Sequence, residues 1–268
     1  MQSLMTAEMQ TMKAIDLLPP LLQRGSASLI IALSIFLAIA HVTLVTLTVQ
    51  RTTPLPRARL LTPLLVGVYF ATWLALAFIL GDGEHFRVGT GTSRRNIVLV
   101  AALGPLVGAV GLLYWSKTMR AVNAAMPPSW LIWFQSYRVV GAMFLYPFLA
   151  YGVLPAAFAI PAGVGDVAVG ALAPLIAHRV ASRRPNAARW AVAWNLFGIL
   201  DLVVAVSAAI GSQAGLINLY PLVLVPLFLG PPLGITTHLY SIRNLVLASR
   251  ASSIEPRPLP TGQRLPAS

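Results

Sequence analysis

The chain has no cysteine, two lysines and seven acidic residues in 268. Without thiols there is no disulfide framework, no cysteine–zinc site and no thiol redox chemistry. The quinone-linked disulfide-forming membrane enzymes are thereby excluded. The two lysines, Lys13 and Lys117, lie outside the late apolar stretches, so a retinal Schiff base has no anchor. Charge is scarce as well. Only 10% of residues are charged, against about 25% in soluble domains, too few to wet a globule of this size.

What the chain does have is apolar surface and positive charge. Hydrophobic residues make up 57% of it, and its mean hydropathy is +0.77. The solvent that suits it is lipid. Lysine and arginine number 19 against 7 Asp and Glu, a formal +12. In a soluble protein that balance points to nucleic acid. Here the basic residues sit between apolar runs, as in loops held on the anionic cytoplasmic face of a bilayer. The expected partner is therefore the lipid bilayer, with no nucleic acid.

A spanning helix needs about 20 predominantly apolar residues. Seven stretches qualify, near 27–49, 60–81, 97–116, 130–151, 157–178, 189–211 and 218–241. The reading is an all-α integral membrane protein, a bundle of about seven transmembrane helices, with one transmembrane domain over 27–248. Residues 1–26 form an N-terminal tail without the basic n-region and apolar core of a cleaved signal peptide. Met5, Met9 and Met12 share one helical face there, which suits a short interfacial helix ending at Pro19-Pro20. Residues 249–268, with Pro256, Pro258, Pro260 and Pro266, read as a disordered tail.

Orientation follows from the basic residues of the connections. Arg51, Arg57, Arg59, Lys117, Arg120, Arg179, Arg183, Arg184, Arg189, Arg243, Arg250, Arg257 and Arg264 fall on one side. Lys13, Arg24, Arg87, Arg94 and Arg95 fall on the other. The positive-inside rule makes the first side cytoplasmic, with the N-terminus outside and the C-terminal tail in the cytoplasm. Arg94 and Arg95 run against the rule, so the first three helices are the least constrained. Arginine outnumbers lysine 17 to 2, a usage of GC-rich bacterial genomes, which suggests a multi-pass protein of a bacterial inner membrane. Gly104 and Gly108, with Gly111 on the same face, make a small-residue surface through which a homo- or hetero-oligomer could pack.

The polar residues that lipid would penalise lie in the last four stretches. The fourth carries Gln135 and Arg138, three apart and so on one face. The fifth has Asp166 near its midpoint, the sixth Asn195 and Asp201, the seventh Thr236, Thr237 and His238. A charge at mid-bilayer costs about 2.5–3.5 kcal/mol on insertion scales, a penalty that only mutual contact offsets. Arginine keeps its proton, so Arg138 needs an anion. One aspartate supplies it. The second carboxylate must then be protonated, held by polar neighbours, or matched by a mobile cation. The alternative is that the cluster only fixes helix register.

Around Asp166 the helix is bare: Ala162, Gly163, Gly170, Ala173 and Pro174 share its side. Either a neighbour packs tightly there or the carboxylate lines a narrow path. Asn195 and Asp201 lie about 120° apart on the helical wheel, so the sixth helix is expected to be buried on more than one side. The seventh stretch contains Pro221, Pro226, Gly230, Pro231, Pro232 and Gly234. A proline pair cannot continue the hydrogen-bond ladder, so the helix is expected to break at Pro231-Pro232. Carbonyls freed at such breaks coordinate ions in transporters.

Four further patterns point elsewhere. Gly163-Val-Gly165-Asp-Val-Ala168 matches a dinucleotide fingerprint but has no preceding strand, so it is set aside. Gly163-Val164-Gly165-Asp166 resembles the GxGD signature of intramembrane aspartyl proteases such as presenilins and prepilin peptidases. In those families the partner aspartate precedes the motif, whereas Asp201 follows it. No cofactor is expected, the alternative being haem held by His41 and His238. Asp82-Gly83-Glu84-His85 reads as a solvated loop rather than a metal site.

The run Pro161-Ala-Gly-Val-Gly-Asp166, then Trp194-Asn195-Leu-Phe-Gly198-Ile-Leu-Asp201, then a proline-rich helix ending in His238, resembles a group of uncharacterised bacterial multi-pass inner-membrane proteins. The resemblance covers the last four stretches and implies no activity. The residues themselves suggest proton- or cation-coupled transport of a small solute through Gln135, Arg138, Asp166, Asn195, Asp201 and His238. The alternatives are a structural, assembly or sensory membrane component, and a membrane-embedded enzyme, for which no catalytic residue stands out.

Overall fold

A computed structural model of the chain describes residues 20–52, 56–82, 103–112, 115–152, 154–211 and 222–254. Residues 1–19, where an interfacial helix is expected, the 83–102 connection with Glu84, His85, Arg94 and Arg95, and residues 255–268 lie outside the described residues, as does the connection 212–221. Residues 20–26 and 249–254 of the two expected tails are helical. No strand occurs among the described residues.

Helix α1 runs Pro20–Thr52 and α2 Pro56–Asp82. Both begin earlier than hydropathy places them, because proline is accommodated in the first turn, where its missing N–H has no acceptor to serve. Helix α3 spans Leu103–Leu112. Next come α4 (Lys117–Ala125), α5 (Pro128–Phe134), a 3₁₀ segment (Gln135–Gly141) and α6 (Ala142–Tyr151). Two long helices follow, α7 (Ala156–Ala181) and α8 (Ala187–Gly211), then a π turn (Val225–Leu229) and α9 (Pro231–Ile254).

Four of these, over Ala27–Thr52, Pro56–Gly81, Ala156–Ala181 and Ala187–Gly211, are long and apolar enough to cross a membrane. The fourth stretch is not one α-helix, because 3₁₀ winding replaces α-winding between α5 and α6. The seventh does not run 218–241: its α-helix starts at Pro231. The molecule's outer surface is apolar, with Phe36, Ile39, Leu60, Leu65, Leu149 and Leu200 all exposed. Exposed apolar surface of this extent marks contact with a membrane or with other proteins. Hydroxyls on α1 turn back onto their own helix: Ser34 donates to Ile30 O and Thr48 to Leu44 O, both at 2.8 Å, which satisfies them without a partner.

Helices α7 and α8 pack side by side, α8 also packs on α9, and α1 packs on α2. One apolar core joins α1, α2 and the π turn through Leu37, Trp73 and Phe228. A second joins α5, α7, α8 and α9 through Ile132, Val169, Trp194 and Leu245. The polar cluster lies where the 3₁₀ segment meets α7, α8 and α9.

Candidate functional site

The site begins with the 3₁₀ geometry. At three residues per turn, side chains three apart eclipse one another. Gln135, Arg138 and Gly141 therefore form a single edge, and all three are buried. This edge lies against the bare face of α7. A Cβ on Gly170 would meet the backbone of Arg138 and Val139, and one on Gly141 would meet the Asp166 side chain. The small residues around Asp166 thus serve close packing with the neighbouring segment, and Pro174 stays outside, exposed.

Arg138, whose side chain is 1% exposed, reaches both aspartates. Its Nε donates to Asp166 Oδ1 at 2.6 Å, and Nη2 lies 2.6 Å from the same oxygen. Nη2 also donates to Asp201 Oδ2. Nη1 donates to Gly198 O at 3.1 Å and faces His238 Nε2 at 3.2 Å. The expectation that Arg138 takes one carboxylate and leaves the other without a positive partner is therefore corrected. One planar guanidinium, with donors on two edges, serves both carboxylates at once. Both ionised, the trio carries one surplus negative charge.

Arginine only donates, so His238 Nε2 must accept and the ring is neutral. Its proton sits on Nδ1, 2.8 Å from Asn195 Oδ1. The Asn195 amide then donates to Ala191 O at 2.7 Å and Ser241 Oγ at 3.1 Å. Each assignment fixes the next. With both ring nitrogens engaged, His238 has no lone pair for a haem iron. His41 bonds Leu37 O at 3.1 Å and packs against Phe134, ring centroids 4.0 Å apart.

Helix α8 corrects a second expectation. Ala187, Ala191, Trp194, Asn195, Gly198, Asp201 and Leu202 form its one buried stripe, while Leu196, Leu200 and Val203 face outward. Asn195 and Asp201 stand at the two edges of that stripe and Gly198 at its centre. A stripe of about 100° or more is wide enough to hold both. At Gly198 a Cβ would run into the His238 ring, so the glycine seats the histidine while its carbonyl receives the arginine.

The helix break lies at Gly230, which closes the π turn by donating to Val225 O at 2.7 Å. Pro231 has no N–H for Leu227 O, and Trp73 Nε1 donates to that oxygen instead, at 3.1 Å. Tyr137 Oη donates to Leu229 O, and Gln135 Nε2 to Gly234 O at 3.0 Å. Leu227 O and Leu229 O, the carbonyls of the break with a donor, are thus held by side chains, where the sequence suggested a cation. Thr236 and Thr237 bond their own helix, at Pro232 O and Leu233 O, and stand apart from the cluster.

Three acceptors in the cluster are left open. Neither Asp166 Oδ2 nor Asp201 Oδ1 has a hydrogen-bond donor among the described residues. Asp166 borders a cleft of about 30 Å³ lined also by Tyr137, Gly141 and Gly230, room for about one water. Gln135 Oε1 is buried without a partner. No group of three metal-ligating side chains occurs among the described residues. The two aspartates meet through the Arg138 guanidinium, which takes one oxygen of each, whereas a protease dyad shares one proton between its carboxyls.

Sequence reasoning missed Ser241, Tyr137, Trp73 and Trp194. Ser241 had a signal: Thr237, Ser241 and Asn244 recur at helical spacing on α9, and all are buried. Trp194 donates to Val169 O at 3.2 Å and packs edge-on to His238. Trp73 and Tyr137 gave no sign, since their acceptors lie far along the chain.

A family model described as a domain of unknown function, DUF8737, matches residues 96–246, and the chain belongs to that family. The match spans every residue of the cluster. No curated protein and no solved structure matches the chain.

Proposed function

We propose that this member of the DUF8737 family is a seven-span inner-membrane protein that couples proton or cation uptake at the Arg138 cluster to movement of a small solute. Its N-terminus lies outside and its C-terminus in the cytoplasm, as the basic connections argue. The observation that carries the reading is the count of charges: one guanidinium against two carboxylates, all largely buried. In apolar surroundings the surplus charge is costly, and one proton or one monovalent cation removes it. Asp166 is the entry point, since of the two aspartates it is the one that borders the water-sized cleft. That cleft admits a water or a proton and is too small for a solute. A proton on Asp166 weakens its hold on Nε and Nη2, leaving Arg138 to Asp201, Gly198 O and His238. The 3₁₀ segment carrying Arg138 is the element that would shift, because such mid-helix stretches often serve as hinges.

Infrared pH-difference spectra of the full-length protein in proteoliposomes test this. A carboxyl band should appear between alkaline and mildly acid buffer and vanish in Asp166→Asn, together with any pH-driven solute flux. Spectra without a titrating buried carboxyl would sink the reading. A second reading, a structural or sensory component whose cluster only fixes register, is favoured by the full engagement of the guanidinium. It expects no such band and no flux.

A further inference from the structure

A second, larger opening lies on the far side of α9. A cavity of about 1080 Å³ is lined by α1, α2, α3, α4, α5 and α9, at the upper end of the range for ligand sites. Its walls are almost wholly apolar, with Leu44, Val45, Leu61, Leu65, Phe70 and Val122 among them. Three polar features mark one end. Arg57 lines the cavity from the first turn of α2. Ser116 lines it beside Lys117, which is exposed at the start of α4. Asn123 lines it too, is only 3% exposed, and its Nδ2 has no partner. The amide orientation is fixed, because Asn123 Oδ1 accepts from Arg243 Nη1 at 3.0 Å. The orphan at the cavity wall is therefore a donor, and a buried donor calls for an acceptor.

This end also carries the marks of a membrane interface. Trp115, next to Ser116, is 85% exposed, and the Arg51 guanidinium lies 5.1 Å above the Trp130 ring. Exposed tryptophans and arginines of this kind gather at headgroup level. Among the described residues this end has no carboxylate: Asp82 lies at the opposite end of α2. With this end at headgroup level, the apolar walls would lie at the depth of the acyl chains.

We propose that this cavity binds an anionic membrane lipid, one acyl chain filling the apolar space, its phosphate against Arg57 and Lys117, and a headgroup or ester oxygen accepting from Asn123 Nδ2. The site stands independently of proton coupling at Arg138.

The full-length protein in detergent, offered phosphatidylglycerol and phosphatidylcholine of identical chains, should retain the former in native mass spectra roughly tenfold more strongly, as two cationic side chains near a phosphate imply. Arg57→Gln with Lys117→Gln should abolish that preference while leaving phosphatidylcholine adducts. Leu61→Trp, which fills the cavity, should reduce retention of both. Should its melting curve show misfolding, Leu65→Trp replaces it, and the charge pair decides alone if both misfold. Equal retention of the two lipids by the wild type, or a preference untouched by the charge pair, would overturn the proposal. Displacement of phosphatidylglycerol by inorganic phosphate would overturn it as well, showing an anion site without a lipid chain.

Discussion

Arg138 determines the protonation of His238: its Nη1 faces Nε2 at 3.2 Å, and a group that can only donate forces the ring to accept. The neutral ring then donates from Nδ1 to Asn195 Oδ1. Nitrogen-15 spectra of labelled histidine in the full-length protein should show a neutral ring with its proton on Nδ1 at neutral pH. An imidazolium pattern for His238 would contradict the hydrogen-bond chain. His238→Leu should cost about 1–3 kcal/mol, since an arginine donor and the Asn195 acceptor are both left unmet.

Arg138 is the only cation in contact with Asp166 and Asp201 among the described residues. Arg138→Gln should destabilise the protein by about 3–5 kcal/mol at neutral pH, because two buried carboxylates lose their countercharge. Acidification should narrow the gap to wild type, since protonation removes the stranded charges. Arg138→Lys should recover little, as one ammonium cannot span both aspartates and Gly198 O. Melting temperatures across pH decide it, and an Arg138→Gln variant as stable as wild type would mean the cluster is not a unit.

Close packing of the 3₁₀ segment on α7 gives a steric test. Gly170 is buried against the backbone of Arg138 and Val139, whereas Leu172 is 44% exposed. Gly170→Leu should cost at least about 1–3 kcal/mol, the usual penalty of overpacking, and Leu172→Ala much less. Equal tolerance in a detergent-stability assay would show that the segment can move aside.

Trp73 stands in for the N–H that Pro231 lacks, donating to Leu227 O at 3.1 Å. Trp73→Phe keeps most of the packing in the α1–α2 core and removes only this donor. It should cost about 0.5–1.5 kcal/mol, with faster hydrogen exchange confined to the π turn and the start of α9. Unchanged exchange there would mean another group takes that carbonyl.

Because the chain has no cysteine, single introduced cysteines report topology without background. Cysteines beside Arg183 and Gly152 should label from opposite sides of the membrane, the former from the cytoplasm. Labelling of the Arg183 site from outside would reverse the orientation.

The sequence by itself marked the apolar helices and the participants. Charge is too scarce to wet a globule of this size, and runs of about 20 apolar residues marked the four helices long enough to cross a membrane. The energetic penalty on ionised groups in lipid singled out Arg138, Asp166 and Asp201 before any geometry was known. It also marked the proline-rich break, because a missing N–H is written in the residue type. The tertiary structure alone decided who pairs with whom. No periodicity announces that Gln135–Gly141 winds as a 3₁₀ helix, since that winding answers to the packing of Arg138 and Val139 on Gly170 of α7, and of Gly141 on Asp166. The sharing of one arginine by two aspartates and the capture of Leu227 O by Trp73 are contacts across many residues of chain. So is the unpartnered Asn123 amide in the wall of an apolar cavity. Local patterns fix which groups cannot be left alone in lipid; only the packed helices fix which partner each one reaches.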